Sequence, residues 1–195
     1  MAMKRFPLEE YASLELNQVA FPQTGMVVSQ TPLGEAFTKD APCENGMWVV
    51  ADKAAGAINP PAAATDKPIG IVYTAEKEYD LFHYGLKTFG RKVAGDYPRV
   101  GILGVGDTVT TNCLQYDDTE FAASGSGNSA VTSEQALYNA LEAFATTPIY
   151  VVPVAGSAVP KLTKTKPNSG IYGKVTKFYT VPNGERGVKY QIISL

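Results

Sequence analysis

Residues 97–118, YPRVGILGVGDTVTTNCLQYDD, constrain the fold more than any other part of the chain. Two apolar segments flank a glycine-rich turn. Val100, Ile102, Leu103 and Val105 come first, and Val109, Cys113 and Leu114 follow. Gly101, Gly104 and Gly106 punctuate the run, with Asp107 after the last of them. Glycines so placed permit positive φ, bulges and close backbone approach. Thr108, Val109, Thr110 and Thr111 then supply β-branched side chains that suit a pleated surface. The pattern predicts the central hairpin or corner of a β-rich domain.

The chain has 195 residues, enough for one large domain or two small ones. Charged residues make up 18%, below the usual quarter, and there are 18 Gly and 13 Pro. This composition favours a turn-rich β protein over a helical bundle. The low charge also leaves room for surface covered by partners. The net charge of -2 provides no strong field for nucleic acid or an anionic membrane, so neither is an expected partner. Lys161, Lys164 and Lys166 form a small basic run that reads as a solvated loop. Cys43 and Cys113 are the only cysteines. Cys113 lies in an apolar run and reads as a buried thiol, and the spacing leaves open whether the two pair. No secretory apolar region follows Met1 and no run is long enough to span a bilayer, so synthesis in a reducing cytoplasm is expected.

The predicted elements follow in chain order. Residues 1–24 form an N-terminal arm or short helix, carrying Phe6, Tyr11 and Phe21 as residues that either pack in the chain's own core or dock on a neighbour. Residues 25–195 form a single β-rich domain, with 120–132 as the one place where it could be divided. Strands are expected at 25–30, 47–51 (with Trp48 in the core) and 68–74. A surface loop rich in Ala and Pro spans 52–67. An irregular aromatic segment with Tyr79, Phe82, Tyr84 and Phe89 is expected to lie over the sheet. Thr132 or Ser133 can cap a helix, Gln135 stands three residues after Thr132 as in a capping box, and Ala136, Leu137, Ala140, Leu141 and Phe144 recur at helical spacing. They predict one amphipathic helix over about 133–145, covering a face or an open end of the sheet. Residues 149–154 predict a strand whose Pro153 suits an edge or a strand end. A loop is expected over 155–169. A final hairpin joins 171–181 to Val188, Tyr190 and Ile192 through a turn at Asn183 and Gly184.

The search for chemistry yields little. His83 is the only histidine, with Asp80 three residues before it, and no nucleophile motif accompanies them. No zinc-ligand spacing is present. Asp117, Asp118 and Glu120 lack the EF-hand pattern and read as a solvated turn. Gly101, Gly104 and Gly106 are spaced G-x-x-G-x-G, which is not the dinucleotide fingerprint. Ser124 to Ser129 lacks the Gly-Lys-Ser/Thr ending of a phosphate loop. No cofactor, metal or catalytic residue is predicted, and the reading is non-enzymatic.

At Tyr97-Pro98-Arg99-Val100-Gly101, followed by Gly106-Asp107-Thr108-Val109-Thr110-Thr111-Asn112, the chain resembles the decoration (cement, or head-stabilising) proteins of tailed bacteriophages. Gly46-Met47-Trp48-Val49-Val50 and Lys67-Pro68-Ile69-Gly70-Ile71-Val72-Tyr73 resemble that group too. The likeness covers roughly residues 45–118. It implies a small structural virion protein on the capsid exterior. Such a protein binds the major capsid protein, often as a trimer, and bridges capsid subunits. Together with the strand pattern, the expected fold is mainly β: a β-barrel or β-sandwich body, β-tulip-like, with one helix and an N-terminal arm. The expected contact residues for capsid or neighbour are Phe6, Tyr11 and Phe21. Two other classes stay open: a tail-tube or head–tail connector subunit, and a carbohydrate-binding module or hydrolase.

Overall fold

A computed structural model describes residues 3–6, 12, 14, 27–28, 31–67, 69–74, 92–122, 131–180 and 184–195. The fold is mainly β and sandwich-like, with one α-helix among the described residues. The strands are β1 (Met3–Arg5), β2 (Val27–Val28), β3 (Trp48–Val50), β4 (Ile69–Val72), β5 (Val100–Ile102), β6 (Thr108–Thr111), β7 (Gln115–Asp117), β8 (Tyr150–Val154), β9 (Ser157–Thr163), β10 (Tyr172–Thr180) and β11 (Arg186–Ser194). The helix α1 is Ser133–Glu142. One sheet has seven strands in the order β1-β7-β9-β8-β10-β11-β6, and the other four in the order β2-β5-β4-β3. Every neighbouring pair is antiparallel except β7 and β9.

The larger sheet is obliged to curl. In a flat sheet β7 and β6 would lie five strand spacings apart, about 24 Å. They are nevertheless consecutive in the chain, and the link from Thr111 to Gln115 reaches at most about 14 Å. Helix α1 packs against the main core. Of the two cap candidates, Thr132 takes the position: the Gln135 amide donates to its Oγ1 at 3.1 Å. Leu137 and Leu141 point into the core. The Tyr138 ring meets Phe6 on one side, 6.0 Å between centroids, and Phe178 on the other, 5.7 Å. The helix ends at Glu142, three residues before the expected end, and a turn over 143–146 leads towards β8.

The small sheet has both faces buried, and alternation sorts its side chains between two cores. Trp48, Ile69 and Ile71 join the main core with Tyr190, Leu137 and Val109. Val49, Val72 and Val100 join a second core with Phe37, Cys43, Met47, Ile58 and Cys113. Gly70 is required where the strands approach closely, since a Cβ there would lie 2.4 Å from Val100 Cγ1. A buried polar contact ties the two sheets: Trp48 Nε1 donates to Tyr190 Oη at 2.9 Å.

Several expectations are refined. Residues 97–118 make a corner rather than a hairpin, because β5 belongs to the small sheet and β6 to the large one. The predicted loop over 155–169 contains β9, joined to β8 through Ala155 and Gly156, the latter at φ 75°. Pro160 lies within that strand. It sits in a bulge: Val152 pairs with Lys161 and Val154 with Ser157, so Ala158 to Pro160 face Pro153 alone. Both prolines therefore occupy the interruption in the ladder, where no hydrogen bond is asked of them. Strand β8 is interior, but its pairing with β10 involves only Tyr150 and Val151, so Pro153 still lies beyond a strand end. The final hairpin stands as expected, with Val188, Tyr190 and Ile192 fully buried.

Candidate functional site

The residues picked out from sequence fall in different places. Phe6 is 3% exposed and its amide donates to Leu114 O at 2.8 Å. It packs in this chain's own core and, so placed, offers no surface to a neighbour. The three residues before it form β1, at the edge of the large sheet. Tyr11, Phe21, His83, Asp80, the aromatic segment around Phe82 and the loop 124–129 lie outside the described residues.

The acidic turn is folded into protein contacts. Asp117 accepts from the Thr119 hydroxyl and amide, and these bonds hold its carboxyl below the usual carboxylate range. Asp118 pairs with Lys4 at 2.7 Å and is held low chiefly by it. Glu120 accepts from Thr163 and from the Lys164 amide, and faces Lys161 at 3.6 Å. Among the described residues no three His, Cys, Asp or Glu side chains gather as metal ligands. Both cysteines are free and buried. Burial pushes the Cys113 thiol up to about 12 and raises the Cys43 thiol further, so neither forms the thiolate that nucleophilic chemistry needs. No described helix is long and apolar enough to cross a membrane.

Asp107, at the corner between the sheets, is fully buried. Its Oδ2 accepts from the Gly104 amide at 2.6 Å, while Oδ1 has no partner. Burial raises its carboxyl above the ordinary value, against the Gly104 hydrogen bond. A raised folded-state value means that the stabilising contribution is full below the unfolded carboxyl's own titration, about pH 4, and is lost as pH rises through the folded value. Asp107→Asn keeps the acceptor for Gly104 and removes the charge. Its melting temperature is expected to gain on wild type from pH 4 to pH 7, measured by far-UV circular dichroism. Parallel curves would show that Asp107 does not titrate between the two states.

Two of the hollows on the described surface bear on the site. One, of about 440 Å³, lies between β1, the loop 36–47 and the start of β9. The Arg5–Glu44 ion pair, 3.0 Å, sits among its lining residues beside Phe37 and Met47. The other, of about 430 Å³, opens beside the outer face of the β10–β11 hairpin, between Phe144 and Ala145 on one flank and Lys174, Gln191 and Ile193 on the other. Ile193, in its lining, is 42% exposed. This face combines apolar groups in a depression with Lys174 at its side.

Comparison with known proteins adds no relative: no family model, no curated protein and no solved structure matches the chain.

Proposed function

We propose that this chain is a structural protein of a tailed-bacteriophage virion, binding the outer surface of the assembled capsid and stabilising it by bridging capsid subunits. The observation that supports this reading is the placement of the motif-bearing stretches. The segments around Trp48, Ile71 and Gly101 become β3, β4 and β5, adjacent strands of one sheet, and the chain then turns at Asp107 into β6. The residues that resemble decoration proteins thus form one contiguous body instead of scattered pieces. A protein that binds only the assembled lattice stabilises that lattice by mass action, and many copies engaged together add avidity. The partner is the major capsid protein, and the chain acts as a homo-oligomer, with a trimer matching local three-fold positions.

Purified protein is expected to co-sediment with expanded empty capsids, to appear as regular protrusions by electron microscopy, and to raise the temperature at which the shells burst. Bound shells that burst with bare ones would remove the stabilising role. Protein left in the supernatant would remove capsid binding altogether, and spontaneous growth into rings or tubes would favour a tail component instead.

A further inference from the structure

The C-terminal hairpin carries an unusual charge arrangement. From residue 161 onward the sequence holds seven cations (Lys161, Lys164, Lys166, Lys174, Lys177, Arg186 and Lys189) and one acid, Glu185. That segment is therefore +6 within a chain of net charge -2, which leaves -8 on residues 1–160. The one acid, Glu185, is buried and accepts from Asn112 Nδ2 at 2.5 Å.

The pairing register gathers part of this charge on one face. Lys177 stands opposite Lys189, and Lys174 opposite Gln191. Directly opposed residues share a face, and alternation adds Ile193 to Lys189 and Gln191. Val188, Tyr190 and Ile192 face the core, so this set faces outward. Arg186 belongs to the other face, stacked over the Tyr138 and Phe178 rings at 5.9 and 5.5 Å. Among the described residues the ion pairs are Lys4–Asp118, Arg5–Glu44 and Lys161–Glu120, none of them on this face. Two lysines in direct opposition with no acid between them weaken a hairpin.

The same face holds the hollow. A register shift between Tyr172 and Gly173 leaves Ile193 without a partner across the ladder, and such bulges re-aim a side chain. Ile193, Phe144 and the stem of Lys174 line the depression.

Building on the capsid-binding reading, we propose that this outer face of β10 and β11 is the docking face, and that it takes an acidic protein surface with an apolar side chain projecting into the hollow. Lys177 lies over the Tyr179 ring at 5.6 Å, while Lys174 and Lys189, which make no ion pair among the described residues, call for carboxylates, and the hollow calls for a side chain to fill it. A nucleic acid backbone would match the lysines but would leave Ile193 and Phe144 uncovered, and the -8 carried by residues 1–160 opposes a long polyanion. A membrane surface is better served by apolar side chains that project than by ones that line a depression.

The test is co-sedimentation with expanded empty capsids, comparing wild type, Lys174→Glu/Lys189→Glu, Ile193→Ser and, as a control on the exposed loop before β3, Lys39→Glu. All four substituted positions lie outside the core, and far-UV circular dichroism checks each fold. The double reversal is expected to weaken binding by about tenfold or more, and about 0.5 M salt to weaken wild type similarly. Ile193→Ser should weaken binding without changing its salt dependence, and Lys39→Glu should bind as wild type. Wild type that binds equally at both salts, with the double reversal unaffected, would overturn the docking face and leave capsid binding standing. Wild type that never binds would overturn the capsid reading and this inference with it. Binding to a DNA duplex or to phosphatidylserine vesicles that the double reversal abolishes, with capsid binding intact, would overturn the protein partner.

Discussion

Trp48→Ala is expected to remove about 3–5 kcal/mol of stability, the usual range for emptying a buried tryptophan site. Trp48 and Tyr190 are both fully buried, and the indole N–H finds its partner in the Tyr190 hydroxyl. Their rings also meet at 6.0 Å and 59°. Because the pair joins the small sheet to β11, the loss falls on the contact that holds the two sheets together. Against a total of about 5–15 kcal/mol, this is a large share. Tyr190→Phe isolates the polar part: the core volume is kept, and the buried indole N–H is left unsatisfied, at about 1–3 kcal/mol. Urea unfolding followed by far-UV circular dichroism gives both values. Shifts within about 0.5 kcal/mol for both variants, the range of an ordinary surface change, would mean that the sheets are held by something else.

Gly46→Ala is expected to be nearly as severe, for a different reason. Gly46 has φ 92°, a conformation that costs an L-residue about 1–2 kcal/mol. An added Cβ would also lie 2.6 Å from Cys113 Cβ and 2.8 Å from Thr111 Oγ1. Both neighbours are fully buried in the link from β6 to β7, so neither can move away cheaply. Overpacking of this kind adds about 1–3 kcal/mol. Gly56→Ala is the matched control. Its φ is 70°, and nothing lies within 4 Å of the position a Cβ would take. The difference between the two melting temperatures reports the steric part alone. Equal losses would show that the second core yields at Cys113.

The parts of the fold that could be read from sequence are those set by neighbours along the chain. The cap at Thr132, the alternation Val188–Tyr190–Ile192 and the Ile69–Val72 strand each follow from residues within a turn or two of one another. What escaped is set by distant pairing. Strand β1 has three residues, and its partner Asp117 is more than a hundred positions away. No periodicity is measurable in so short a run. Phe6 could not be assigned to the core or to a neighbour for the same reason, since its burial depends on Leu114 and Tyr138. Strand β9 escaped because the bulge that accommodates Pro160 is visible only once Val152 and Lys161 are paired. The basic hairpin is a mixed case. A running tally of charge along residues 161–195 would have found the excess, which the run Lys161–Lys164–Lys166 only began. That Lys177 and Lys189 share a face with Ile193 depends on two register shifts in β10, and those have no signature in composition.

Because Trp48 is the chain's single tryptophan, the molecule carries its own optical reporter of one event. Blue-shifted emission, as expected for an indole out of water, signals sheets in contact, since Trp48 is fully buried against Tyr190 of β11. Acrylamide should quench it poorly until the two layers part. Time-resolved emission therefore separates closure of the sandwich from formation of the hairpins within each layer, which far-UV signals register first. Tyr190 lies one residue before Gln191 on the proposed docking strand, so the same signal reads from inside the core whether engagement at that outer face tightens the junction beneath it.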